Sequence, residues 1–435
     1  MKRLLLRAKG KKHKYFLNKK TQNNSDSSLE SLDEGYMNMN IVGKILNDKY
    51  IILRYLNRGT FCKVYLVLNI LTNEYYALKI QNPEDNSELE TEYNNIIYLQ
   101  NNSNNSNNSN NIGKIYDKFV IKLDNIAHNC ILFELLGNSL DKVMEYYDFS
   151  LNEIKKIIKD LLNSLNILAN HNIIHCDLKP DNILFGDLSK NMKDYIEEIN
   201  ILSLKEKYDI LLNNNLPEDF YNLSKSKRKT VKRKIKIKIL KLLVKENIGL
   251  IRDLNNKYIN MIDEDIPENF NIKLIDFGNA EKIDEEIMET IYTRSYRPPE
   301  NIINETYNTK SDIWFIGCLL YELLTHTVLF DINNYENKKE KDKIHLEYMI
   351  KYLDKIPKDL IFINDNYNSL FDMKGMLKNT NIKIEGLYNL LKNNIKVKVK
   401  NEELLEIIDF LLKIFKYNPK DRYSSEELLK HDFLL

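Results

Sequence analysis

A chain of 435 residues with 43% hydrophobic side chains is too long for one ordinary core, so two lobes with appendages are expected. The formal net charge of +1 gives no overall pull toward nucleic acid or membrane, and no apolar run reaches the ~18 residues of a membrane-spanning helix. Four cysteines, Cys62, Cys130, Cys176 and Cys318, lie far apart without metal-ligand spacing and read as reduced thiols of an intracellular protein, cytoplasmic or nuclear.

Residues 1–45 are basic, then Ser/Asn-rich and acidic, with little periodicity. They read as a mostly disordered extension; its apolar start is too short for a secretory signal, and a basic targeting segment is the lesser reading. From Tyr50 the pattern changes to apolar runs and alternations, predicting strands at 50–56, 63–69 and 75–80, a helix at 88–99, and strands at 118–123 and 130–135. Five strands and one helix make a small lobe over 46–137. Asn-Asn-Ser repeats fill 101–111; they cannot bury apolar surface and read as a loop from an AT-rich genome. After Gly137 helices dominate, at 151–170, 310–325, 346–353 and 402–417, giving a second, mainly helical lobe over 138–435. Two insertions interrupt it, at 187–270 and 330–400. Within the first, 225–245 is strongly basic. A solvated helix or disordered spacer is the favoured reading, with nuclear targeting or nucleic-acid contact the lesser one.

The run His175-Cys176-Asp177-Leu178-Lys179-Pro180-Asp181-Asn182-Ile183 resembles the catalytic loop of a eukaryotic-type protein kinase. The other parts of that family follow in the right order. Leu56-Asn57-Arg58-Gly59-Thr60-Phe61-Cys62-Lys63-Val64 resembles the glycine-rich loop over the ATP phosphates, although Asn57 and Cys62 replace two of its glycines. Ala77-Leu78-Lys79 matches the strand lysine, Asp276-Phe277-Gly278 the magnesium-binding turn, and Pro298-Pro299-Glu300 the segment after the activation loop.

The resemblance implies an α+β, bilobal kinase fold. The small lobe would be a five-stranded antiparallel sheet with one helix, the large lobe mainly helical. It also implies roles. Asp177 would orient the acceptor hydroxyl, Lys179 would meet the transferring phosphate, and Thr293 would bridge them. Lys79 would hold the α- and β-phosphates and pair with Glu92, chosen because Ile96 and Leu99 then fall on the buried side; Glu88 and Glu90 remain open. Asn182 and Asp276 would bind Mg2+. The Glu134 carbonyl and Leu136 N–H would bind adenine, between Val64, Ala77 and Leu184. Phe277 would pack on His175 and Ile96, Glu300 would pair with Arg422, and Asp312 would brace the catalytic loop. ATP and Mg2+ are the implied cofactors. The implied partner is a protein presenting Ser or Thr to a monomeric kinase, without membrane.

Within the family the SR-protein kinases fit best. The features are Phe133–Gly137, the run Asp276-Phe277-Gly278-Asn279-Ala280, Thr293-Arg294-Ser295-Tyr296-Arg297, Lys355-Ile356-Pro357-Lys358 and the spacer before Asp276. Two departures stand out. The Arg that usually precedes the catalytic Asp, where it meets an activation-loop phosphate, is Cys176, so switching by such a phosphate is not expected. Thr290-Ile291-Tyr292 lies too close to Thr293 to match a dual phosphosite. Two acidic positions that hold Arg-Ser-rich substrates in that family become Ile344 and Lys351. A pseudokinase scaffold is the competing class, suggested by the glycine-poor loop alone, since Lys79, Asp177, Asn182 and Asp276 are all present.

Overall fold

The computed structural model describes residues 41–59, 62–83, 87–102, 111–259, 266–267, 269–283, 292–303, 307–332, 335, 337–362 and 368–435. Of the expected disordered extension over 1–45, residues 1–40 lie outside these residues, as do most of the Asn repeat, Thr60, Phe61 and Thr290-Ile291.

The small lobe is a sheet of strands β1 (Ile45–Leu46), β2 (Tyr50–Arg58), β3 (Cys62–Asn69), β4 (Glu74–Gln81), β5 (Ile115–Leu123) and β6 (Ile126–Glu134), in order β1-β2-β3-β4-β6-β5. All its pairs are antiparallel. Helix α1 (Ser87–Asn102) lies between β4 and β5 in the chain. The five expected strands are thus joined by a sixth, two-residue strand, and Ile41 is buried, so the lobe begins ahead of residue 46. Two residues are too few to show a period, which is why β1 escaped the sequence reading.

The large lobe is built on α2 (Leu140–Met144) and α3 (Leu151–Asn170), followed by the short strands β7 (Ile173–Ile174) and β8 (Ile183–Phe185). Ser150 caps α3: its side chain accepts from the Glu153 N–H while Glu153 reaches back to Ser150, a capping box that fixes the helix start. Strands β9 (Ile272–Leu274) and β10 (Glu281–Lys282) pair with β8 and β7, respectively, and flank the turn at Asp276. Beyond them lie α7 (Glu300–Ile303), α8 (Ile313–Thr325), α9 (Lys338–Tyr352), α10 (Lys358–Ile361), α11 (Leu387–Asn394), α12 (Asn401–Ile414) and α13 (Ser425–Leu429). Every residue of α8 is buried, as its near-continuous apolar sequence demands.

The insertion after β8 is ordered. It folds as α4 (Lys190–Ile201), α5 (Leu204–Asn214) and the 34-residue α6 (Lys225–Tyr258). Tyr195, Ile199, Leu204, Tyr208, Ile239, Leu240, Leu243, Ile251 and Tyr258 form one core with Ile51, Leu53, Leu66, Leu68 and Ile70 of the small lobe. Residues 225–245 are helical with exposed lysines, as one of the two expected forms has it, but the helix is not solvated all round and the segment is not a disordered spacer: its apolar face is packed on the small lobe. The apolar face of α6 repeats at helical spacing, but between its residues stand so many lysines that the segment reads as polar overall. Hydrogen bonds across the joint, and one from Tyr195 that holds Asn255 from within the insertion, secure it. Arg54 Nη2 donates to the Tyr258 carbonyl at 3.0 Å and Asn255 Nδ2 to the Leu53 carbonyl at 2.8 Å. Tyr75 Oη donates to Asn200 Oδ1 at 2.7 Å and Tyr195 Oη to Asn255 Oδ1 at 2.9 Å. The insertion leaves and re-enters the chain in the large lobe yet packs on the small one.

No helix among the described residues is long and apolar enough to cross a membrane.

Candidate active site

A cleft of about 830 Å³ lies between the lobes. Its wall includes Leu56, Asn57, Arg58, Gly59, Cys62, Val64, Ala77, Lys79, Glu92, Glu134, Leu136, Lys179, Asn182, Leu184 and Asp276, all chosen from sequence. Lys63 is not part of the wall. Side chains alternate along a strand, so Cys62 and Val64 face the cleft and Lys63 faces away. Lys63 is therefore removed from the candidate nucleotide contacts.

On the roof, Gly59 N–H donates to the Cys62 carbonyl at 3.0 Å, closing the β2–β3 hairpin. β4 delivers Lys79 from above. Its Nζ donates to Glu92 Oε2 at 2.7 Å and to Asp276 Oδ1 at 3.0 Å, joining sheet, helix α1 and the large lobe at one point. Burial opposes the lysine charge, but Glu92 and Asp276 outweigh it and hold its pKa well above the usual value. Burial likewise opposes the charge of Asp276, yet Lys79 holds this carboxyl below the usual range. Of the three glutamates weighed, Glu92 is the buried one; Glu90 is exposed and pairs with Lys118.

On the back wall, Phe133 to Gly137 joins the lobes. The Glu134 carboxylate accepts from Lys273 Nζ at 2.7 and 2.9 Å and from Lys114 N–H at 2.8 Å, so its side chain is held while its backbone borders the cleft. Gly137 tolerates no side chain: a Cβ would come within 2.1 Å of the Asp187 carbonyl oxygen.

On the floor, Asp177 accepts from three directions. Lys179 Nζ donates to its Oδ2 at 2.7 Å, Thr293 Oγ1 to its Oδ1 at 2.8 Å, and Asn182 Nδ2 to its carbonyl oxygen at 2.9 Å. Burial opposes the charge of Lys179 while the bond to Asp177 raises its pKa. The loop beneath is braced by Asp312, whose carboxylate accepts from the His175 N–H at 2.7 Å and the Cys176 N–H at 3.4 Å. His175 Nε2 donates to the Ile275 carbonyl at 3.0 Å, which leaves Nδ1 to accept from the Asp177 N–H at 3.3 Å. The His175 ring meets Phe277 edge-on, centroids 4.9 Å apart. Asn95 of α1 donates to the Ala280 carbonyl at 2.9 Å, tying α1 to the same turn.

Asp276 and Asn182 both line the cleft. With its Nδ2 used by Asp177, Asn182 offers an oxygen, and Asp276 offers a carboxylate. Two oxygen donors beside a charged lysine suit Mg2+ and a polyphosphate.

Sequence reasoning missed the contribution of the insertion. Ser189, Asn191, Met192, Tyr258 and Ile259 form part of the cleft wall. Nothing in their local sequence signals this, because the approach of α6 to β2 is a tertiary event.

The family model described as protein kinase domain matches residues 50–196 and 223–434. A serine/threonine-protein kinase of Acanthamoeba polyphaga mimivirus is 26% identical over 95% of this chain and 92% of its own. The serine/threonine-protein kinase SRPK of Physarum polycephalum is 26% identical over 94% of this chain and 91% of its own. A crystal structure of a kinase domain superposes with a TM-score of 0.61 at 25% identity, covering 91% of this chain and 97% of that one.

Proposed function

This chain belongs to the protein kinase domain family, of serine/threonine type, and from that premise we propose that it is a catalytically active, SR-protein-kinase-like enzyme. The observation that carries this reading is the complete chain of contacts from Glu92 through Lys79 to Asp276 on one side and from Lys179 through Asp177 to Thr293 on the other. ATP supplies the transferred γ-phosphoryl group, and magnesium neutralises charge that develops on it. Lys79 grips the α- and β-phosphates. Asn182 and Asp276 supply the metal ligands. Asp177 accepts a hydrogen bond from the Ser or Thr hydroxyl and aims its oxygen at the phosphorus. Lys179 offsets charge on the moving phosphoryl group, and Thr293 keeps Asp177 from turning away. Val64, Ala77 and Leu184 enclose the adenine, while the backbone of Glu134 and Leu136 hydrogen-bonds its edge. The two lobes exclude water from the reacting atoms.

Magnesium-dependent transfer of labelled phosphate from ATP to a peptide library tests this. Lys79→Met, Asp177→Ala and Asp276→Ala should each lower turnover by at least 100-fold while leaving the thermal midpoint within a few degrees. ATP binding without transfer in the unaltered chain would make it a nucleotide-binding scaffold instead.

A further inference from the structure

The first half of α6 is an acid-free block of cations on a surface the kinase chemistry does not use. Between residues 225 and 245 stand eleven Lys or Arg and no Asp or Glu, whereas the whole chain carries 63 acids in 435 residues, or about three per 21. Composition alone therefore does not explain the block. Other helices of this protein set lysines against acids four residues away, as in Lys156–Asp160, Lys205–Asp209 and Lys430–Glu426. In α6 the i,i+4 neighbours are instead like charges, such as Lys225 with Lys229 and Lys234 with Lys238, each pair costing a few tenths of a kcal/mol. Cations at the first turns also oppose the positive end of the helix dipole. Among the described residues, the one ion pair these eleven make is Arg233 with Asp48.

The placement is ordered. Leu240, Leu243, Asn247 and Ile251 are buried, the three apolar ones in the core shared with the small lobe. Lys227, Lys234, Lys238, Lys241 and Lys245 are exposed on the opposite face, a stripe about 27 Å long at ~1.5 Å per residue. In the first three turns Lys225, Arg228, Lys229 and Lys232 add charge on the remaining sides. Every exposed side chain from 225 to 241 is Lys, Arg, Ser or Thr. Protein interfaces need a cluster of aromatic or aliphatic anchors at their centre, and the block 225–245 exposes one large apolar side chain, Leu242. A membrane-binding helix needs a free apolar face, and the one on α6 is already buried. A polymer of phosphates needs only spaced cations, with lysine sufficing as a point charge. The first three turns of α6, charged on several sides, also match the two phosphate walls of a duplex major groove, roughly 12 Å wide.

We propose that α6 is a docking surface for double-stranded DNA, gripping the phosphate backbone without reading sequence. The proposal is independent of phosphoryl transfer, so either can fail alone.

The test uses the full chain and a fluorescein-labelled duplex of 24 base pairs, with anisotropy read from 50 to 300 mM NaCl. Expected is micromolar binding at 100 mM salt, with log K falling against log salt at a slope of about −4 or steeper. Changing Lys227, Lys234, Lys238, Lys241 and Lys245 together to Gln should weaken binding at least tenfold and flatten the slope by about 3 to 5. These side chains are exposed, so circular dichroism should be unchanged; the pair Lys227→Gln and Lys234→Gln alone should give an intermediate loss. Changing Lys355, Lys392, Lys396, Lys398 and Lys416 to Gln should leave binding within twofold. Absence of salt-dependent binding, or equal loss in that second set, overturns the proposal. So does tighter binding to the single strand or to phosphatidylserine vesicles, or displacement of the duplex by polyglutamate at equal charge.

Discussion

Cys176 and Tyr292 share one buried apolar cluster with Ile174, closed by Ile283 and Tyr307. The position before the catalytic Asp usually holds an arginine aimed at an activation-loop phosphate. Here it holds a fully buried thiol, whose pKa burial pushes far up, and the activation segment places an aromatic ring in the same cluster. Tyr292 stacks on Tyr307 with centroids 6.3 Å apart. Apolar contact therefore stands where a phosphate and a cation would meet. Phosphatase treatment should leave kinase activity unchanged, Tyr292→Phe should stay within about twofold, and Tyr292→Glu should lose at least tenfold. Activity that vanishes on dephosphorylation and returns on phosphorylating Tyr292 would falsify this account.

Glu300 and Arg422 form a pair with fully buried side chains, Nη1–Oε1 2.7 Å and Nη2–Oε2 2.5 Å, beneath the Trp314 ring. Removing one partner strands the other charge in the core. Arg422→Met should cost about 3–5 kcal/mol in urea unfolding, and Glu300→Gln a similar amount. The double change Glu300→Gln with Arg422→Met should cost less than the sum. Simple additivity would show that the two charges do not depend on each other.

Glu322 is buried in α8 and accepts from Tyr296 Oη at 2.8 Å. Burial, aided by Asp141 and Asp181 and opposed by the Tyr296 bond, raises its pKa to about 7. A carboxyl raised in the folded state favours folding while protonated. Its contribution is full below the unfolded value near 4.5 and is lost as pH rises to about 7, a change of about 3 kcal/mol. Glu322→Gln should therefore flatten the stability profile between pH 5 and 7 and stabilise the protein above that range. Denaturant midpoints across pH measure it; parallel profiles for the two proteins would remove Glu322 from the explanation.

Lys351 pairs with Glu385 at 3.2 Å, and Ile344 packs at the edge of the core. Neither offers a charge to arginine, and Lys351 engages an acid that could have done so. Processive capture of long Arg-Ser repeats should be weak. Ile344→Asp with Lys351→Glu should tighten an Arg-rich docking peptide several-fold at low salt, with the gain shrinking at high salt. Tight binding by the unaltered chain, insensitive to the change, would place docking elsewhere.

What the sequence revealed depended on how local each determinant was. Leu151–Asn170 was legible to the residue because a Ser150 cap, a twenty-residue apolar period and the following His171-Asn172 turn agree. Glu92 was preferred over Glu88 and Glu90 through the same helical period that buries Ile96 and Leu99. The apolar period predicts the start of α9 at 346, but the helix begins at Lys338, since its polar first turns carry no apolar signal. Lys63 lies inside the glycine-rich motif, but strand alternation turns it away from the cleft. A helix over 225–245 is among the forms the sequence allows, but its packing on the small lobe is not legible there. Its partners Ile51, Leu53 and Leu66 lie more than 150 residues earlier in the chain, beyond any local window.

That same distance sets an order of events during synthesis. The small-lobe sheet carries Ile51, Leu53, Leu66, Leu68 and Ile70 on the face that α4 to α6 cover. A ribosome adding ~5–20 residues per second delivers Tyr258 roughly ten to forty seconds after Ile70. Until α4 emerges the insertion covers none of that face, and until α6 emerges it covers only part of it. The protein should therefore need a chaperone, or a slow translation rate, at the stage when its small lobe has emerged and its insertion has not.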